Sequence, residues 1–252
     1  MADLQATARE VLACLDLTSL NDADTAADIE QLCHRAQNAH GPVAAVCVWP
    51  RFVTQARALL PRAISVAAVA NFPDGALDLP RALADISAIA QAGADEVDLV
   101  LPYRALKAGK RSEVAEFLDE ARFATRPLTL KVIIESGKLQ DPELIAEATR
   151  LALAAGADFI KTSTGKSAVS ATPEAARVML REIAASGMGN AGFKASGGIR
   201  TVADAAVYLE LTRAALGTVS PQRLRFGASG LLNDIEAVLG GGVQPAAEPS
   251  SY

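Results

Sequence analysis

A single closed (β/α)8 barrel of the TIM type, in the α/β class, is the fold this sequence predicts, with a short extra N-terminal helix and a flexible C-terminal tail. Three observations predict it. The 252 residues suffice for one large α/β domain with a substantial core. Short β-rich apolar runs recur eight times, and Ala-, Leu- and Glu-rich stretches with helical periodicity lie between them. Strands that alternate with helices without a long linker imply a parallel sheet, and eight repeats at this length favour a closed barrel over an open doubly wound sheet. The barrel domain is expected over residues 1–239 and the tail over 240–252.

Taken in order, "MADLQATARE" reads as the extra helix, covering the barrel bottom. The eight runs are "VLACLDL" (11–17), "VAAVCVW" (43–49), "ISVAAVAN" (64–71), "EVDLVLP" (96–102), "LTLKVIIES" (128–136), "DFIKTST" (158–164), "AGFKAS" (191–196) and "RLRFGAS" (223–229). Helical periodicity is clearest over 79–92, 112–125, 141–155, 173–187 and 201–215. Asp141-Pro142, Thr172-Pro173 and Thr201 are helix start signals, because a short polar side chain caps free amides and proline suits a first helical turn. Gly156 and Gly187 stand where C-terminal caps belong. The closing "GGGVQPAAEPSSY" is rich in Gly, Pro and Ser and reads as mobile.

Composition narrows the function. Half of the residues are apolar, yet no stretch approaches the ~18 apolar residues of a membrane span, so a soluble protein is expected. The start carries no apolar signal region, and the cytoplasm follows as the default. Cys14, Cys33 and Cys47 are odd in number and widely spaced, and His34 and His40 are the two histidines, which argues against a disulfide framework and against a metal centre. A formal net charge of −5 without a basic run argues against nucleic acid and anionic membranes. The chemistry is expected to run on Lys, Asp, Ser and backbone groups, with no cofactor.

An internal echo locates that chemistry. "AGADEVD" (92–98) and "AGADFIK" (155–161) share four successive letters, which puts Asp98 and Lys161 at equivalent positions of the fourth and sixth strands. Alternate strands of such a barrel fill the same interior layer, so the two should face each other at its top. Packing explains "AGAD" but not a charge inside "EVDLVL", since a buried ionised group is costly unless paired or used. Lys161 ends an apolar strand, where low polarity lowers an amine's pKa and makes it a nucleophile toward carbonyls. Lys194 in "GFKASGG" should emerge beside it, and a second cation lowers that pKa further. Spacing leaves open which of the two lysines is the nucleophile. Asp16, at the end of the first strand, is expected to support a lysine.

"DFIKTSTGKS" is not a P-loop, because Ile160 stands where the first glycine of that motif belongs. Phosphate is expected instead at "ASGGIRT" (195–201) and "FGASG" (226–230), whose Ser196 and Ser229 directly precede helices, with Thr164, Gly165 and Lys166 closing the third side. Cys47 reads as a buried structural thiol. Lys131 and Glu135, on the fifth strand, are expected to form a structural ion pair.

Together "DFIKTSTGK", "EVDLVLPYRAL", "LKVIIESG", "GFKASGGIRT", "VCVWPRF" and "DLTSLND" resemble the bacterial-type deoxyribose-phosphate aldolases, over about residues 11 to 239. The resemblance implies a class I aldolase without metal or cofactor that reversibly cleaves 2-deoxy-D-ribose 5-phosphate to glyceraldehyde 3-phosphate and acetaldehyde. It implies Lys161 as the Schiff-base lysine, Lys194 as the lysine that perturbs it, Asp98 as the proton-relay acid and Asp16 as its support. For the substrate phosphate it implies Thr164, Gly165, Lys166, Gly197, Gly198, Gly227 and Ser229. The sequence departs at Gly230, where many members carry a second serine, so one hydroxyl ligand is missing. Tyr252 has two readings: the end of a disordered tail, or a phenol on a tether that enters the barrel mouth and relays protons at C2. The expected partners are small phosphosugars and aldehydes, and a homodimer is compatible with the sequence. Another lysine-dependent phosphosugar aldolase, or a non-catalytic sugar-phosphate-binding barrel, would share most of these features.

Overall fold

Short runs of Val, Ala, Leu and Ile, apolar on both faces, suit strands that are covered by helices outside and packed side chains inside. In this protein they are β1 (Leu15–Thr18), β2 (Ala45–Val48), β3 (Ser65–Ala70), β4 (Glu96–Val100), β5 (Thr129–Ile133), β6 (Phe159–Lys161), β7 (Gly192–Ser196) and β8 (Leu224–Ala228). The structure, a computed structural model, describes residues 2–240. The eight strands pair in parallel in chain order, and β1 also pairs with β8, closing the barrel. A (β/α)8 barrel is therefore the fold.

The helices are α1 (Ala2–Ala13), α2 (Ala26–Ala36), α3 (Val53–Leu59), α4 (Leu79–Gln91), α5 (Tyr103–Lys107), α6 (Arg111–Thr125), α7 (Ser136–Leu139), α8 (Pro142–Ala154), α9 (Pro173–Ala185), α10 (Val202–Leu216) and α11 (Leu231–Leu239). The expected start signals work as read. Asp141 caps α8, Thr172 caps α9, and Thr201 with Asp204 forms a capping box on α10. Gly156 and Gly187 take φ of +88° and +71° one residue past the helix caps, a left-handed turn that glycine enters without strain. Among the described residues, no helix is long and apolar enough to cross a membrane.

Several boundaries differ from expectation, among them that of the fifth strand, expected to reach Ser136, which ends at Ile133 before α7 begins. Residues 11–13 were expected in the first strand, but they complete α1, and β1 begins only at Leu15. Ala8, Val11 and Leu12 are buried at helical spacing, so the apolar stripe of α1 runs without a polar break into the apolar run of β1. That helix lies against α10 and α11. The sixth strand, expected to reach Thr164, stops at Lys161, because the chain turns there to bring Thr164 onto Glu135. Residues 241–252, including Tyr252, lie outside the described residues.

Candidate active site

Parallel strands in register present matched residues on one face, and side chains alternate along each strand. Asp98 matches Lys131, Lys161 matches Lys194, Lys194 matches Arg225, and Gly227 matches Asp16. All of these positions face the barrel axis, as does Glu96, two residues before Asp98. The interior of the barrel is thus charged rather than aliphatic. Asp16, Asp98, Lys131 and Lys194 are 0% exposed, Lys161 2%, Glu96 3% and Arg225 7%.

Burial of so many charges is tolerable only with complete pairing. Lys161 Nζ donates to Asp98 Oδ2 at 2.7 Å, and Lys194 Nζ donates to the same oxygen at 2.8 Å. Lys194 also donates to Asp16 Oδ2. Lys131 Nζ donates to Asp98 Oδ1 at 2.9 Å and to Glu96 Oε2. Arg225 donates to Asp16 Oδ1 at 2.6 Å and to Glu96 Oε1 at 2.9 Å.

The lysines differ in charge state for physical reasons. Burial, with the neighbouring Lys194 cation adding to it, lowers the Lys161 pKa despite the Asp98 carboxylate. Burial also acts to lower that of Lys194, but Asp16 and Asp98 outweigh it and hold this lysine above the usual range. Asp98 is desolvated, yet Lys131, Lys161 and Lys194 keep its carboxyl well below the usual range. Cys47 Sγ lies 4.0 Å from Asp98 Oδ2, and burial pushes its thiol pKa up. The cluster therefore pairs one amine that loses its proton readily with a charged neighbour of the same kind.

Above this layer opens a cleft of about 470 Å³. Lys161 is part of its lining, and so are Thr164, Gly165, Lys166, Gly197, Gly198, Gly227 and Ser229. Gly197 and Gly198 both take positive φ, +83° and +81°, in a turn that a side chain would strain, and Gly197 N donates to Gly227 O at 3.4 Å. Gly227 could not carry a Cβ without displacing Ser196, since the added carbon would sit 2.1 Å from Ser196 Oγ. An amine at the floor and amides with Lys166 on the wall suit a molecule with a carbonyl at one end and an anion at the other.

A family model for DeoC/LacD family aldolases matches residues 10–235. The chain belongs to that family. A deoxyribose-phosphate aldolase of Agrobacterium fabrum (strain C58 / ATCC 33970) is 49% identical over 246 residues, covering 96% of this chain and 94% of the relative. A solved aldolase, QR15, shares 30% identity over 91% of this chain and 96% of its own, with a TM-score of 0.78. A candidate deoxyribose-phosphate aldolase of Toxoplasma gondii ME49 superposes with a TM-score of 0.87 at 25% identity, over 97% of this chain and all of that one.

In this aldolase the structure brings Lys161, Lys194, Asp98 and Asp16 into one network. Two expectations need correction. Lys131 does not pair with Glu135: four residues along a strand span about 13 Å, so the two belong to different layers. Lys131 joins Asp98 and Glu96, whereas Glu135 Oε2 accepts from Thr164 N at 3.2 Å and Thr164 Oγ1 at 2.5 Å. Thr164 thus spends both donors on Glu135 and shapes the turn. The helix after β7 does not present its free amides either. Val202 N donates to Asp234 Oδ2, Asp204 N to Thr201 Oγ1, and the amides of Arg200 and Thr201 to Asp204. By contrast, α11 starts without a side-chain cap and is entered through Gly230 at the cleft rim.

Sequence reasoning missed Glu96 and Arg225, although each stands two residues before an inward position already identified. It also missed Arg200, Thr18 at the end of β1, and Ser19 and Asn21 on the loop that follows, all of which line the cleft. They lie within the "DLTSLND" and "GFKASGGIRT" stretches, but it is the closure of β1 against β8 that brings the first of these to the cleft.

Proposed function

We propose that this aldolase reversibly cleaves 2-deoxy-D-ribose 5-phosphate to glyceraldehyde 3-phosphate and acetaldehyde by a Schiff-base mechanism, in the breakdown of deoxyribonucleosides in the cytoplasm. The observation that carries the proposal is Lys161: its amine ends at the floor of the cleft, 2.7 Å from Asp98 and beside Lys194, opposite the glycine turns and Lys166.

Neutral Lys161 attacks the C1 aldehyde of the open-chain sugar, and the carbinolamine loses water to give a protonated imine. That imine is an electron sink. Asp98, through Lys194 or a water, takes the C3 hydroxyl proton; the C2–C3 bond breaks, its electrons enter the imine as an enamine, and glyceraldehyde 3-phosphate leaves. Protonation at C2 and hydrolysis then release acetaldehyde and free Lys161. The phosphate rests on the amides of Gly198 and Ser229 and on the uncapped start of α11, beside Gly197 and Gly227 in the cleft lining, with Lys166 and Arg200 supplying positive charge. Gly230 supplies an amide but no hydroxyl. For Tyr252, deletion tests the proposed relay at C2: slowed solvent exchange of acetaldehyde methyl protons supports it, and unchanged exchange removes it.

A panel of phosphorylated and free sugars, assayed for acetaldehyde with alcohol dehydrogenase and NADH, tests the substrate. Acetaldehyde from 2-deoxyribose 5-phosphate in preference to other members is the expected result. Its absence there with cleavage of a different phosphosugar would overturn the assignment.

A further inference from the structure

Three cations and three carboxylates inside the barrel form a closed ring in which every carboxylate oxygen is used. Arg225 holds Asp16 Oδ1 and Glu96 Oε1. Lys131 holds Glu96 Oε2 and Asp98 Oδ1. Lys194 holds Asp98 Oδ2 and Asp16 Oδ2. The signs alternate around the ring, each cation bridges its two neighbouring carboxylates, and Lys131 Nζ also reaches across to Asp16 Oδ2 at 3.3 Å. Lys161 is outside it, a fourth basic side chain that shares Asp98 Oδ2 with Lys194.

We infer that Glu96 and Arg225, which line no part of the cleft, are positioning residues that keep Lys161 uncharged by completing this ring. The inference rests on the role given to Lys161 above and goes beyond it, because neither residue touches the reacting atoms. With the ring complete, the buried charges cancel, and an ammonium on Lys161 would be a surplus cation in a site where unpaired charge is costly. The groups facing Lys161 from the packed strands are Asp16 on β1, Cys47 on β2, Glu96 and Asp98 on β4, Lys131 on β5, Lys194 on β7 and Arg225 on β8; the β3 positions matched to this layer are Ala67 and Val69. If Arg225 is neutralised, three carboxylates face two cations, and Lys161 gains by keeping its proton. If Glu96 is neutralised, the ring carries excess positive charge, and Lys161 loses its proton more readily.

The test is the pH dependence of reductive methylation of Lys161 by formaldehyde and cyanoborohydride, followed by peptide mass analysis, in Arg225→Gln, Glu96→Gln, the double variant and Arg225→Lys. Because this chemistry reads the ionisation of Lys161 whatever the enzyme cleaves, a wrong substrate and a wrong ring are distinguishable. The expected midpoint rises by about one pH unit in Arg225→Gln and falls by about one in Glu96→Gln, as loss of one buried charge several ångströms away implies. It returns close to the wild-type value in the double variant and stays there in Arg225→Lys. If a single variant does not fold, the double and Arg225→Lys variants decide, with a displaced midpoint in both counting against the ring. Unmoved midpoints in the single variants, shifts of the same sign, or a double variant displaced further than either single would overturn the inference.

Discussion

Asp98 has two oxygens and three lysine neighbours, and this shortage governs what it can do. Asp98→Asn removes the proton acceptor and one ring charge together. A loss of about 10²–10⁴ in kcat is expected, the usual contribution of a positioned acid–base, accompanied by a lower melting temperature. Steady-state assays and thermal unfolding check both. Gly227 has a different reason for its identity. A methyl group there would meet Ser196 Oγ at 2.1 Å and Lys194 Cε at 3.0 Å. Gly227→Ala should therefore lower kcat/KM about tenfold or more through displacement of Lys194, since overpacking costs ~1–3 kcal/mol. At this scale the sequence was legible where a charge interrupts an apolar strand, as in "EVDLVL" and "GFKASGG". It was not legible where a charge sits near a strand's start, as with Glu96 and Arg225, because such a residue reads as a solvated strand end until the barrel closes over it.

The element that links the two halves of the site is the turn from β6 to Lys166. Its first residue follows Lys161, its last lies in the cleft wall, and Glu135 pins its middle through Thr164. Glu135 takes φ +52°, a left-handed conformation uncommon outside glycine, to reach that position. Glu135→Gln replaces charge-assisted bonds of ~1.5–3 kcal/mol with weaker ones. The KM for the phosphosugar should rise about tenfold while turnover of unphosphorylated deoxyribose changes little; an equal loss on both substrates would contradict the role of the turn. Element boundaries were legible where caps mark them, at Asp141, Thr172 and Thr201. They were misread at residues 11–13, where a helix stripe and a strand run are both apolar and no polar residue separates them. The pairing of Lys131 with Glu135 failed for a related reason: proximity in sequence is not proximity along a strand.

At the scale of the whole molecule, the barrel's interior trades apolar burial for a charged ring, and stability must follow pH accordingly. The pKa values of Asp16, Glu96 and Asp98 are all lowered in the fold by the cations around them. A group with a depressed folded pKa stabilises the fold above its unfolded pKa, and that contribution is lost as pH falls. Stability should therefore be level near neutrality and decline below about pH 4, where unfolded carboxylates begin to take up protons that the folded ones refuse. Three such groups give a slope approaching about 4 kcal/mol per pH unit, measurable as the urea midpoint against pH. The eightfold repeat, and the echo that paired Asp98 with Lys161, were readable because each strand–helix unit is local. The ring was not, because it joins β1, β4, β5, β7 and β8, and only closure makes them neighbours. The central claim is that Lys161 forms the imine, and borohydride reduction in the presence of 2-deoxyribose 5-phosphate, followed by peptide mass analysis, tests it most directly. A single reduced adduct on Lys161, lost in Lys161→Arg, is predicted; an adduct on Lys194 or elsewhere, or turnover with no adduct, would contradict the account.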